Sequence, residues 1–338
     1  MSAMTLSRLS ERQRILSTNL VLVLALLAAA AASLSLGTVA VPLGAVLEVL
    51  TGGGETIHRF VIHELRLPRV LSGALTGAAF ALAGCMMQTV ARNRLATPGI
   101  IGIDNAATAF AVSSVVGLSV SIAPPAMAVT GAAFATAVAF GLAGANGTRG
   151  YRFIIAGLGI GAIAGAITQV MLTHVAIDAA NAAFPWTVGS LNARSQAATL
   201  ALAIGLAAGY GLAIALGPSL DTLQFSDSVA INLGTRLKRV RGLSLCCAVL
   251  LTGLAVAVAG PVGMVALLAP EVARSLSPPG KVPLTASALA GAAFMVAADL
   301  AGRLVLSPLE VPVGLITAIV GSPYLIWILV KPSPRSTP

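Results

Sequence analysis

Charge is the scarcest ingredient of this 338-residue chain: Asp, Glu, Lys and Arg together make up 9% of it. Soluble domains carry about a quarter of their residues as charges, so an ordinary water-soluble fold is excluded. Aromatics are also few, at 4%, and leave little for base stacking; the net charge of +9 therefore does not read as a nucleic-acid surface. Histidine occurs only at positions 58, 63 and 174, and no pair has the i, i+4 spacing of a helical zinc site. The three cysteines, Cys85, Cys246 and Cys247, lie in apolar segments without ligand spacing and read as small hydrophobes. The nearest approach to a phosphate-binding loop, residues 277–282, lacks the first glycine and has Val282 where Ser or Thr must hold magnesium. No catalytic group, no metal site and no cofactor bound by this chain is expected.

What fills the chain instead is apolar sequence. Residues 15–47, 70–91, 105–148, 153–177, 195–220, 242–270, 282–298 and 311–330 contain no Lys, Arg, Asp or Glu. A bilayer crossing takes about 20 apolar helical residues, and hydrophobic residues make up 57% of the chain. The pattern is that of an all-α membrane protein with a single transmembrane domain over residues 1–338. Breaks at Gly, Pro and charge place ten helices at 20–40, 68–90, 100–120, 125–145, 153–176, 197–217, 242–260, 263–277, 283–303 and 311–330. The first of them is a retained helix rather than a cleaved signal peptide, preceded by a cytoplasmic segment at 1–19.

Orientation follows from the basic residues. With both termini inside, Arg8, Arg12, Arg14, Arg92, Arg94, Arg149, Arg152, Arg236, Lys238, Arg239, Arg241, Arg274, Lys281, Lys331 and Arg335 face the cytoplasm. Only Arg59, Arg66, Arg69, Arg194 and Arg303 remain outside, a split of 15 to 5 in the sense of the positive-inside rule. The eighth helix is short and ends in Glu271 and Arg274, yet removing it would weaken the bias to 12 to 8.

Small residues at four-residue spacing, Gly73-Gly77-Ala81-Cys85, Gly157-Gly161-Gly165 and Gly205-Gly209, predict close helix packing. Charges within spans are few: Asp104 near the inner end of its helix, and Asp299 one turn before Arg303, a spacing that suits an ion pair. The longest polar cytoplasmic stretch, 218–241, holds Asp221, Asp227, Asn232, Arg236, Lys238, Arg239 and Arg241 and reads as a solvated basic loop or as a short helical element that docks a soluble partner. On the outer side Arg66 and Arg69 bracket Leu67-Pro68, with Arg303 ending the ninth helix. Positive charge there runs against the topology bias and implies partners, either lipid headgroups or an acidic protein surface.

From Arg66 onward the chain resembles the FecCD or BtuC-like permeases, membrane subunits of bacterial ABC importers for iron-siderophores, haem and vitamin B12. The matching stretches run in order: Arg66-Leu67-Pro68-Arg69; Gly84 to Gln88 with Arg92-Asn93-Arg94-Leu95-Ala96-Thr97-Pro98-Gly99; Trp186 to Leu191; Ala230 to Gly234; Gly260-Pro261 through Pro270; Ala298-Asp299; and Leu309 to Gly321. Two positions depart from the family pattern: Arg94 stands where Pro is usual, and Glu271 where His is.

The resemblance implies ten helices in the BtuC-like fold and a dimer of permeases, identical or paralogous, in the bacterial cytoplasmic membrane. It implies that Arg66, Arg69 and Arg303 receive glutamates of an extracytoplasmic substrate-binding protein. Residues 221–241 resemble the coupling helices that seat on an ABC ATPase dimer, with Asp227, Ala230, Leu233, Gly234 and Arg236 as the contact set. ATP and Mg are then used by that separate ATPase, and this chain is a transport subunit rather than an enzyme. The expected cargo is a ferric siderophore, with vitamin B12 or haem as alternatives; the rival from another class is an ion-coupled secondary transporter acting alone.

Overall fold

The computed structural model describes residues 10–117, 122–143, 151–192 and 195–330. The basic residues Arg8, Arg149, Arg194, Lys331 and Arg335 counted above lie outside them. The described residues form helices and no strand: α1 (Glu11–Ser35), α2 (Leu43–Leu50), α3 (Thr56–Ala91), α4 (Ile103–Val115), α5 (Pro124–Ala143), α6 (Tyr151–Thr173), α7 (Ile177–Val188), α8 (Gln196–Thr222), α9 (Asp227–Asn232), α10 (Leu237–Ala259), α11 (Gly263–Leu276), α12 (Leu284–Leu304) and α13 (Val313–Val330). Among the described residues seven, namely α1, α3, α5, α6, α8, α10 and α12, are long and apolar enough to cross a membrane. The shorter α4, α11 and α13 stand where the third, eighth and tenth helices are expected.

Several boundaries differ from expectation for local reasons. α1 begins at Glu11, so the segment expected as a cytoplasmic tail over 1–19 is helical from there. Ser10 and Gln13 form a reciprocal capping box that starts the helix early. The third helix starts only at Ile103, because Pro98–Ile101 makes a tight 3-10 turn that Gly102 ends at φ 74°. α8 runs past Pro218 to Thr222 and α10 starts at Leu237, which shrinks the polar connection expected over 218–241 to residues 223–236. α2 and α7 have no counterpart in the charge pattern, since both lie between spans.

α3 is widened near its start. Pro68 has no N–H to give to the turn before it, and over Val61–Arg66 the backbone takes π-helical bonding, with Leu67 N reaching Ile62 O. From Leu67 the helix is regular and central: 78% of its apolar window is buried, and 72% of that of α10, against 11% for α1 and α8, so the last two are peripheral. α12, α10 and α11 pack directly on α3. A Cβ on Gly77 would meet the Gly291 carbonyl of α12, one on Gly291 would meet the Gly77 carbonyl, and one on Gly84 would meet Ala266 O of α11. With no water to expel inside a bilayer, this close contact and a few polar bonds hold the bundle. Ser72 Oγ and Thr199 Oγ1 (2.9 Å) link α3 to α8, and Tyr210 Oη and Thr285 Oγ1 (2.8 Å) link α8 to α12.

The Trp186–Leu191, Gly260-Pro261 and Gly314 motifs, far apart in sequence, meet in space. Ser190 N donates to Ala259 O (2.7 Å) and Gly314 N to Gly189 O (3.2 Å). A side chain at Gly314 would strike the Val188 carbonyl.

Candidate functional site

Charged side chains gather at the two ends of the bundle. At the end expected to face outward, α3, α12 and the close of α1 come together. Asp299, 5% exposed, lies between two arginines: Arg69 Nη2 at 2.9 Å and Arg303 Nε at 3.3 Å. The i, i+4 pair of Asp299 with Arg303 expected from spacing is therefore present. Arg69 also holds Glu310 through Nη1 at 2.9 Å, and Arg303 donates through Nη2 to Ser33 O (3.2 Å) and Ser33 Oγ. Arg66 is buried and donates to Leu34 O (2.6 Å) and Val39 O, so it pins the stretch that follows α1.

The three arginines expected as outer docking groups thus share one end of the fold, but not as free cations. Arg66 is buried among backbone carbonyls, and Arg69 and Arg303 are 13% and 10% exposed and paired within the chain. Of this group Glu310 reaches furthest into solvent, at 42%. It went unnoticed in the sequence because it belongs to a loop 241 residues from its partner Arg69.

At the opposite end lies α9, a short helix of six residues between α8 and α10. Asp227 at its start is clamped by Arg92 Nη2 (2.5 Å) and Arg241 Nη2 (2.9 Å). Ala230 is fully buried beneath the turn, and its carbonyl accepts from Thr235 N (3.0 Å). Gly234 closes it at φ 84°, a left-handed position that glycine occupies at no steric cost. Thr222 Oγ1 and Thr235 Oγ1 meet at 2.7 Å across its base, and Asp221 accepts from Val282 N (2.8 Å) and pairs with Lys281 (3.3 Å), tying the segment to the α11–α12 connection. Leu233 and Arg236 are exposed, as are Phe225, Val229 and Ile231. The segment therefore presents an exposed apolar knob in a stretch that also exposes Arg236, Lys238 and Arg239.

A second clamp lies beside the first. Glu271 on α11 is gripped by Arg94 Nη1 (2.9 Å) and by Arg274 Nη1 (2.9 Å), and Arg274 also donates to Gln88 Oε1 on α3. Arg94 and Glu271, the two departures from the family pattern, are bonded to each other. Sequence reasoning had Arg92, Arg94, Arg241, Glu271 and Arg274 in hand only as counted charges or motif members; their pairing is made by the fold. Among the described residues no group of three His, Cys, Asp or Glu is placed to hold a metal.

Comparison with known proteins places this arrangement. Residues 24–331 match the FecCD transport family. The Fe(3+)-citrate import system permease protein YfmE of Bacillus subtilis is 34% identical over 322 residues, covering 94% of this chain and 96% of its own. The ferric enterobactin transport system permease protein FepG of Escherichia coli is 33% identical over 322 residues, covering 95% and 98%. In three dimensions the chain superposes on an inward-facing structure of an ABC transporter of metal-chelate type with a TM-score of 0.80 at 21% identity, covering 94% of this chain and all of that one. That likeness establishes the fold.

Proposed function

This chain belongs to the FecCD transport family, and from that premise we propose that it is the permease subunit of an ATP-driven importer that carries a ferric siderophore across the bacterial cytoplasmic membrane by alternating access. The supporting observation is near full-length relationship to permeases of ferric citrate and ferric enterobactin import, which favours an iron chelate over cobalamin or haem. The α9 end faces the cytoplasm with both termini, and an ATPase dimer seats on the knob formed around Ala230 by Val229, Ile231 and Leu233. Asp227, Gly234 and Arg236 fix the shape and charge of that knob. ATP and Mg are bound by the ATPase; this chain supplies the surface that ATP-driven closure moves.

The opposite end receives an extracytoplasmic binding protein. Of the three arginines, Arg69 is best placed to exchange partners, because Glu310 is a half-exposed carboxylate that an incoming glutamate can replace. Arg66 and Arg303 position the platform from beneath. A second permease, identical or paralogous, completes the path, and the chelate passes between the two subunits rather than through the closely packed contact of α3 with α10, α11 and α12.

Reconstitution tests this reading. Vesicles holding the permease pair, the ATPase and the binding protein are expected to accumulate an iron-loaded siderophore only when ATP is inside with the ATPase. Accumulation by the permease alone on a proton or sodium gradient would instead establish a secondary transporter.

A further inference from the structure

The loop after α3 carries two arginines that reach in different directions. Arg92 turns toward α9, with Nε donating to Leu223 O (2.8 Å) and Nη2 meeting Asp227 (2.5 Å). Arg94 turns toward α11 and meets Glu271 (2.9 Å). Between them the loop is stiff: Asn93 N donates to Gln88 O (3.1 Å), and Asn93 Oδ1 accepts from Leu95 N (2.9 Å). Gln88 bonds in turn to Ala266 O (3.3 Å) and to Arg274, so the same loop root is fastened to α11 twice over.

Arg92 also sits at φ 50°, ψ 33°, the one left-handed residue other than glycine among those described. A helix end of this kind is ordinarily given to Gly or Asn, and a long side chain there costs backbone strain. The strain is tolerated where surrounding contacts over-determine it, and here the contact that does so is the grip on Leu223 O and Asp227. The position therefore needs the guanidinium, not the backbone conformation alone.

We propose that Arg92 and Arg94 form a two-armed tie that transmits displacement of α9 to α11, which makes them positioning residues for coupling rather than fold-building ones. The inference rests on the reading of α9 as the ATPase seat. The arms act in series: Arg92 joins α9 to the loop, and Arg94 joins the loop to α11. Arg94 and Glu271 supply the second arm together, and Arg274 holds the same carboxylate from within α11.

The test uses the complete importer in vesicles and measures ATP hydrolysed per siderophore moved, for the native protein, Arg92→Gly, Arg94→Ala and the double variant. Arg92→Gly is expected to raise that ratio roughly 2- to 30-fold and Arg94→Ala, whose pair is more exposed, about 2-fold, with the double no worse than the stronger single. Arg92→Gly relieves the backbone while giving up the bonds to Leu223 O and Asp227, so its thermal midpoint should stay close to that of the native complex, which separates lost coupling from lost folding. An unchanged ratio, or uptake and hydrolysis falling by the same factor, overturns the proposal. A transport-independent arm measures the spin-label distance between Val229→Cys and Ser275→Cys in a Cys246→Ala background. A narrow distribution is expected for the parent and a broadened one for Arg92→Gly and Arg94→Ala; unchanged widths overturn the tie. If the native importer shows no ATP-linked uptake, the transport reading fails, and the distance measurement still decides whether the tie exists.

Discussion

At both ends of this bundle a carboxylate lies between two arginines, yet the two ends differ in how much water they admit. Asp299 and its arginines Arg69 and Arg303 are 5%, 13% and 10% exposed, whereas at the α9 end Arg92 and Arg94 are 37% and 67% exposed and only Arg241, the second partner of Asp227, is comparably shielded at 9%. Coulomb attraction is the same in kind at the two ends, but its worth depends on the surrounding dielectric. A pair shielded from water is costly to break because each partner is left as an uncompensated charge. A pair in water is worth about 0–1 kcal/mol and exchanges readily. The pairs of the Arg69 end are therefore the costlier to break, while Arg92 and Arg94 at the α9 end hold their carboxylates through contacts that water can replace.

The contrast predicts an ordered series of effects. Asp299→Ala strands two shielded arginines and should cost about 3–5 kcal/mol, read as a collapse of thermal stability and yield in detergent. A loss similar to that of an exposed-pair variant would erase the distinction between the ends. Asp227→Ala removes the clamp on Arg92 and Arg241; with Arg92 partly hydrated but Arg241 shielded it should cost about 2–3 kcal/mol of stability while lowering uptake far more than that loss explains. Proportionate losses would mean that Asp227 only holds the fold. Glu310→Gln should change stability by less than about 1 kcal/mol. Because it frees Arg69 for a partner carboxylate, it should tighten docking of the binding protein a few-fold at low salt, and weaker docking would show that Glu310 is itself part of the contact. The smallest effect is expected for Arg94→Ala, within about 0.5 kcal/mol by thermal unfolding, and a large shift would place Glu271 among the shielded pairs.

The ion pairs show where sequence reading reaches its limit. Asp299 with Arg303 could be anticipated because a helix places residues four apart on one face. Asp299 with Arg69 could not, since 230 residues separate them. The cation supply at the expected outer end was countable, but its availability was not. Whether an arginine is free depends on which carbonyls and carboxylates the fold brings to it, and Arg66, placed at the surface by its neighbours in sequence, is instead enclosed by Leu34 and Val39.

The long apolar helices and their approximate spans were legible in the sequence, because an uncharged run of about 20 apolar residues is satisfied in lipid as a helix, whereas the short α2 and α7 between spans were not. The glycine stripes likewise marked where helices touch. Tertiary structure decided the rest: that Gly77 meets Gly291, that Arg94 meets Glu271, and that Arg69 and Arg303 are shielded while Arg92 and Arg94 stay wet. Those outcomes depend on long-range packing, which sets both the partner and the dielectric around each charge, and no local spacing encodes either.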